Sequence, residues 1–393
     1  MLDSSVNADS GTPPQDAGNT PDTGTPPIDG GSDAGSPVDA GPGDAGPVTG
    51  AVVRSHPCPG INRTDALWVD DDGTMFIGCG SGAVGNGMYM STDEGLTWSI
   101  PATNPSVLDT FRVLSIHRGF GGLLYVGGQG PAMSMVVSLD TSSSPFAAEA
   151  VLTRGTTVGT SFLASPFVTT ASGAAWADSF NGSDSLYRAN DSVGDAAAEW
   201  TDASLGRQMI DLVAVGERFV GCGSTIAQPP YVFLPSQESG AEPWEMTQLE
   251  LVSGLGAYDG EMWGVAADDD RVVVVGVNQD ANVGKIFVSG ADRYTASDYT
   301  QLDIDPLLPT RVSGADSTWA RGVCMDGMRV VVVGEIQPLG AGDNSGFVLE
   351  STDGGSTFTD ITPDGSPDTW SKCQIMDGGR VVVAGAGAVA LVD

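Results

Sequence analysis

Arg329-Val330-Val331-Val332-Val333-Gly334 follows the turn residue Gly327 and reads as a short apolar strand closed by glycine. A run of β-branched residues without alternation suits a strand buried on both faces. The pattern returns along the chain. Arg271-Val272-Val273-Val274-Val275-Gly276 follows Asp269, and Arg380-Val381-Val382-Val383-Ala384-Gly385 follows Gly378. Looser copies are Thr74-Met75-Phe76-Ile77-Gly78, Leu123-Leu124-Tyr125-Val126-Gly127, Gly173-Ala174-Ala175-Trp176 and Arg218-Phe219-Val220-Gly221. The seven turn residues, Gly73, Gly122, Gly173, Gly216, Asp269, Gly327 and Gly378, stand 43 to 58 residues apart. That spacing holds one four-stranded sheet per copy and leaves no length for helices between parallel strands. The sequence predicts an all-β chain, a seven-bladed β-propeller over residues 51–393.

The last copy runs out at Asp393 with three strands, near 371–376, 380–385 and 388–392. Its outer strand is expected from Ala51-Val52-Val53-Arg54, which would join the two ends of the ring and remove an open sheet edge.

Residues 1–50 differ in kind. They repeat Asp-Ala-Gly and Thr-Pro-Pro units and hold eight aspartates, no basic residue and no aromatic ring. Such a segment cannot bury enough apolar surface to offset its ordering entropy, so a disordered acidic tether is expected. It resembles the linkers that follow the lipidated cysteine of bacterial surface lipoproteins. That resemblance implies an anchor upstream and an outer-membrane or extracellular location, although no lipobox is present. No stretch is long and apolar enough for a transmembrane helix.

The chain carries 50 acidic and 16 basic residues, a formal charge of -34. Such a charge repels phosphate backbones and anionic headgroups, which argues against nucleic-acid and membrane-surface partners. Weak calcium binding through oxygen ligands is the one cofactor the composition allows; otherwise none is expected. Five cysteines, Cys58, Cys79, Cys222, Cys324 and Cys373, form no C-x-x-C pair, and the two histidines, His56 and His117, do not suffice for a zinc or copper site. Cys79 and Cys222 stand at the same place in their repeats and read as buried thiols. Cys324 and Cys373 fall one slot apart, so a Cys58–Cys373 bond joining the chain ends is the favoured pairing.

Two segments match each other closely. Ser91-Thr92-Asp93-Glu94-Gly95-Leu96-Thr97-Trp98 and Ser351-Thr352-Asp353-Gly354-Gly355-Ser356-Thr357-Phe358 both read S-T-D-x-G-x-T-[WF]. This resembles the Asp-box, or BNR repeat, of the sialidase-like propeller superfamily. The resemblance implies hairpins between the third and fourth strands of a blade, with structural roles for Ser91, Asp93, Gly95, Thr97 and Trp98 and for Ser351, Asp353, Gly355, Thr357 and Phe358. It does not imply sialidase chemistry. The arginine segment that precedes the first box in sialidases has its nearest counterpart in Phe111-Arg112-Val113-Leu114, which lacks the proline and follows the box.

Propellers bind ligands where inner strands begin. Aligning the repeats on their turns puts Trp319 beside Trp370 with Glu261 in the same slot, and Trp263, Arg321 and Lys372 in a second slot two residues on. These six residues are the expected ligand contacts, since indoles with a few charges suit sugar rings or peptide side chains. Acids precede these strands at Asp65, Asp109, Asp259, Asp316 and Asp368. They are turn residues or, alternatively, weak metal ligands. No catalytic residue stands out. The sequence favours an exported, surface-tethered binding or scaffold propeller for a glycan or protein. The alternative is a carbohydrate-active hydrolase using carboxylates at the mouth.

Overall fold

A computed structural model describes residues 50–58, 64–79, 87–106, 108, 111–129, 133–155, 162–180, 185–189, 200–202, 209–223, 229–239, 241, 245–251, 260–314, 316–339 and 342–393. The expected tether, residues 1–50, lies outside them save for Gly50. The described chain is strand and turn, with three short 3-10 segments, and no helix in it is long and apolar enough to cross a membrane.

The chain opens with β1 (Val52–Ser55). A first sheet contains β2 (Ala66–Val69), β3 (Met75–Gly78) and β4 (Met88–Ser91). The next contains β5 (Thr103–Asn104), β6 (Arg112–Arg118), β7 (Leu124–Gln129), β8 (Met133–Asp140) and β9 (Phe146–Gly155). Then come β10 (Phe162–Thr169), β11 (Ala175–Phe180), β12 (Ser185–Ala189) and β13 (Trp200–Asp202). They are followed by β14 (Asp211–Val215), β15 (Arg218–Gly223), β16 (Tyr231–Pro235) and β17 (Met246–Glu250). The fifth group is β18 (Gly260–Ala267), β19 (Val272–Asn278), β20 (Val283–Ser289) and β21 (Tyr299–Asp303). The sixth is β22 (Ser317–Asp326), β23 (Arg329–Gln337), β24 (Ser345–Ser351) and β25 (Thr359–Asp360). The last is β26 (Trp370–Ile375), β27 (Val381–Gly385) and β28 (Ala388–Val392), with β1 paired antiparallel to β28. Residues before the first repeat thus complete the last sheet, as the truncated final copy required. The first strands of successive sheets touch in order, β2, β6, β10, β14, β18, β22 and β26, and β26 touches β2 again.

The expected seven-bladed count is corrected. Six sheets reach four strands or more and are full blades, while β2–β4 has three. After the first S-T-D turn the chain comes back alongside β4 and makes a single antiparallel bridge, Met90 to Ser99. Continuing that register would set Pro101 against Met88, and proline has no N–H to donate to the ladder. The chain instead passes to the next sheet, where β5 pairs parallel with β9 through Thr103–Phe146 and Asn104–Ala147.

The valine runs form second strands, and alternate residues serve different neighbours. Val330 and Val332 belong to the core shared with the fifth group, with Val273, Val275 and Phe347. Val331 and Val333 belong to the core shared with the last sheet, with Trp370, Val381 and Val383. Burial on both faces explains why these strands do not alternate in polarity. The closing glycines answer a different need. The inner strands bulge between Met262 and Gly264, between Ala320 and Gly322, and between Trp370 and Lys372. Opposite each bulge a backbone carbonyl crowds the second strand: a Cβ on Gly276 would lie 2.0 Å from Glu261 O, and one on Gly334 2.0 Å from Trp319 O.

Both S-T-D-x-G turns have one geometry. Ser91 Oγ donates to Asp93 Oδ1 at 2.8 Å and accepts from Gly95 N–H at 2.8 Å. Asp93 accepts from the Thr97 amide at 2.8 Å and the Thr97 hydroxyl at 2.6 Å. Ser351, Asp353, Gly355 and Thr357 repeat these bonds between β24 and β25. Gly95 and Gly355 have φ of 83° and 90°, the left-handed region that favours glycine. The Thr97 and Thr357 hydroxyls and amides hold both aspartates down at about 2.

The cysteines pair differently from expectation. Cys58 is bonded to Cys79 and Cys324 to Cys373, with Cα separations of 5.5 and 5.7 Å, and Cys222 is the buried free thiol. Cys324 and Cys373 sit on inner strands of neighbouring sheets, β22 and β26, which are packed rather than hydrogen-bonded together. Sheets twist relative to one another, so residues one slot apart can still meet across such a contact.

Three outcomes follow from this packing. Gly334→Ala is expected to lose about 3 kcal/mol or more, at the upper end for point substitutions. Gly314→Ala, where a Cβ meets nothing within 4 Å, should unfold at the wild-type urea midpoint. Asp353 has a folded pKa of about 2, below its ordinary 3.8. Its contribution is therefore complete above the unfolded value and lost as pH falls through about 2. The fall in stability between pH 4 and 2 should accordingly be shallower in Asp353→Asn, read by acid titration of the melting temperature. Non-reducing peptide mapping should recover Cys58 linked to Cys79 and Cys324 linked to Cys373, with Cys222 alkylated only after unfolding.

Candidate functional site

The inner-strand bulges build the site. Trp263 is the bulged residue of β18 and Arg321 that of β22, so both side chains leave the regular alternation. The Arg321 guanidinium carbon lies 4.6 Å from the Trp263 ring centroid and 4.6 Å from that of Trp319. The cation is thus clamped between two indoles, each giving it a face. It is also anchored to carboxylate: Arg321 Nε donates to Glu335 Oε1 at 2.9 Å, and Arg321 Nη2 pairs with the same oxygen. Glu335 is buried and takes further bonds from Gln337 Nε2 at 3.0 Å and from the Thr369 hydroxyl. A buried ion pair of this kind holds only when its remaining lone pairs are also satisfied, and Glu335 meets that condition. Arg321 therefore fixes the two indoles in place. The Trp319 indole Nε1 is buried without a hydrogen-bond partner among the described residues.

The other expected contacts divide. Glu261 stands beside the bulge of β18, half-buried. Trp370 is fully buried, with its indole N–H on Ser366 Oγ at 3.1 Å, and packs in the core between the last two sheets. It takes the position of Met262 and Ala320, not that of Trp319, because all three face the closing glycine of their neighbour strand. The bulged counterpart of Trp263 and Arg321 is Ser371, and Lys372 falls one residue later. The offset has a local cause. The turn from β22 to β23 encloses two residues, since Asp326 pairs with Arg329. The turn from β26 to β27 encloses three, between Met376 and Arg380. One extra residue displaces every inner-strand position before it.

The inner strands expose one backbone edge to the ring interior, and preceding strands cover it. Gln374 of β26 exchanges two bonds with Val69 of β2, at 2.8 and 2.7 Å. Asp211 of β14 accepts from Val265 N–H of β18 at 3.0 Å. Burial pushes the Asp211 carboxyl above the usual carboxylate range, and the Lys372 charge pulls it back in part. Sequence reasoning missed Asp211, Glu335 and Thr369. Glu335 carried a signal, as an acid placed directly after a valine run and its glycine.

Three of the acids considered as metal ligands fall within the described residues. Asp65 lies 3.6 Å from Arg112, Asp316 accepts from the Ser313 amide at 2.9 Å, and Asp368 is exposed. Asp109 and Asp259 lie outside the described residues. Among the described residues no three histidine, cysteine or acidic side chains come together as metal ligands.

No protein-family model matches the chain, and no curated protein matches it in sequence. Several solved structures do. YCF48 bound to D1 peptide is similar at a TM-score of 0.55 and 16% identity, over 87% of this chain and 96% of that one. Streptogramin B lyase is similar at 0.55 and 11% identity, over 87% and 97%. An ancestral GH74 enzyme is similar at 0.58 and 14% identity, over 84% of this chain and 48% of the enzyme. Identities this low establish a shared fold and nothing of the chemistry: the chain is a β-propeller.

Proposed function

We propose that this is a non-catalytic binding propeller whose mouth, at β18 and β22, takes up a segment of a protein partner. The Trp263–Arg321–Trp319 stack carries this reading. Tryptophan and arginine dominate the energetics of protein interfaces, most of all where they are rigid before the partner arrives. Two indoles held by one guanidinium, itself held by Glu335, lose little freedom on binding. A propeller of similar fold is described bound to a peptide, so a peptide ligand is compatible with this architecture.

The setting we propose is outside the cytoplasm. Two disulfides in one chain suit an oxidising compartment. The aspartate-rich, aromatic-free residues 1–50 suit a surface tether. The two S-T-D-x-G-x-T-[WF] turns support membership of the Asp-box group, through bonds that hold hairpins and leave no group for chemistry.

Peptide and glycan arrays probed with the full chain test this reading. Binding is expected on the peptide array. Trp263→Ala and Arg321→Ala should each weaken it at least about tenfold, some 1.4 kcal/mol. Ser356→Ala, on a distant turn, should bind as wild type. Binding confined to the glycan array, release of sugar from a glycan, or equal peptide binding by all variants would overturn it.

A further inference from the structure

The two disulfides sit in opposite surroundings. Cys58 and Cys79 are 5% and 1% exposed and belong to the core between the first and last sheets, with Met75, Ile77, Val389 and Leu391. A reagent reaches that bond only when the core around it opens. Cys324 and Cys373 are each half-buried, at the margin of the core shared by the last two sheets. Two residues beyond Cys324 the chain turns through Asp326, Gly327 and Met328, all exposed.

The second bond can also open without dismantling a sheet. β22 pairs with β23 from Ser317–Gln337 to Asp326–Arg329, and β26 pairs with β27 from Trp370–Gly385 to Ile375–Val381. β22 and β26 themselves belong to different sheets. Toward the mouth those sheets stay joined by the Thr369 hydroxyl on Glu335 and by the buried Trp370. The Cys324–Cys373 link is therefore an added fastening at the far end of a contact that packing already holds.

Its two sulfurs are not equivalent. Cys373 Sγ lies 3.6 Å from Val331 O, an acceptor in place for a thiol proton. Next to it, Gln374 is tied to Val69 by two hydrogen bonds, which hold that strand in position. Cys324 adjoins the exposed turn instead. Thiol–disulfide exchange depends on access to the attacked sulfur and on the fate of the one that leaves. Attack at Cys324 with Cys373 as the leaving group meets both needs.

We propose that the Cys324–Cys373 bond is a thiol-exchange site, opened in the folded protein by a low-molecular-weight thiol that forms a mixed disulfide on Cys324. The incoming thiolate bonds to Cys324 Sγ and the Cys324–Cys373 bond breaks. Cys373 leaves with the electron pair, takes up the proton that the incoming thiol released and donates it to Val331 O. A second thiol molecule attacks the mixed disulfide, frees Cys324 as a thiol and departs as the small-molecule disulfide. One protein disulfide is reduced and two thiols are oxidised. The site needs neither the Arg321 stack nor a protein partner, so it stands or falls separately from the mouth.

The test is graded reduction of the folded full chain, without denaturant, by glutathione and by dithiothreitol, quenched with N-ethylmaleimide and read by peptide mapping. Cys324 and Cys373 should be freed at dithiothreitol concentrations at least about tenfold below those that free Cys58 and Cys79. The glutathione adduct should be recovered on Cys324, with the circular dichroism of the strands unchanged. In Cys373→Ser the Cys324 thiol should react with maleimide in the folded state, and in Cys58→Ser the Cys79 thiol only on unfolding. If either variant fails to fold, the graded reduction of wild type decides alone. Opening of both bonds together, opening of Cys58–Cys79 first, reaction of Cys324 only in denaturant, or glutathione recovered on Cys373 would overturn the proposal.

Discussion

A strand of consecutive valines has two apolar faces, and neither can be left to water. That constraint organises the molecule. Val272 and Val274 pack toward one neighbouring sheet and Val273 and Val275 toward the other, and the runs at Val330–Val333 and Val381–Val383 divide in the same way. Each sheet thus needs a neighbour on both sides, and a row of such sheets has no exposed end only when it closes. Pairing of β1 with β28 completes the last sheet, and the contact of β26 with β2 closes the row. Burying a valine side chain contributes roughly 1.5–3 kcal/mol, so open ends would be expensive.

Closing a ring brings inner strands together and leaves their interior edges unpaired, and the local features of those strands answer these two needs. Gly264 and Gly322 permit backbone contact between neighbours. Gln374 and Asp211 satisfy edge amides on the following strand. The bulges shift one residue per strand out of alternation, and at β18 and β22 the displaced residues are Trp263 and Arg321. The same irregularity that shapes the ring therefore brings Arg321 against Trp263.

Charge is distributed with similar economy. In a chain of formal charge -34, several arginines are matched to an acid: Arg118 with Asp70, Arg311 with Asp360, Arg329 with Glu350, Arg380 with Glu94 and Asp393. Exposed pairs of this sort contribute little to stability. The Arg321–Glu335 pair differs because it is shielded and stacked.

The sequence by itself determined what depends on near neighbours along the chain. Strand-and-turn character, the doubly buried valine runs, the two S-T-D-x-G-x-T turns, the need for a borrowed outer strand, and the proximity of Trp263, Trp319 and Arg321 all follow from short patterns and their repeat. Only the tertiary structure decided what depends on register. One extra residue in the Met376–Arg380 turn moved Trp370 from the mouth into the core. Pro101 ended the outer pairing of the first sheet because it has no N–H to donate at the position facing Met88. The Cys58–Cys79 and Cys324–Cys373 bonds join residues far apart in the chain. A single-residue offset in a strand redirects a side chain to the opposite face, and pattern reading along one chain does not sense that offset across sheets.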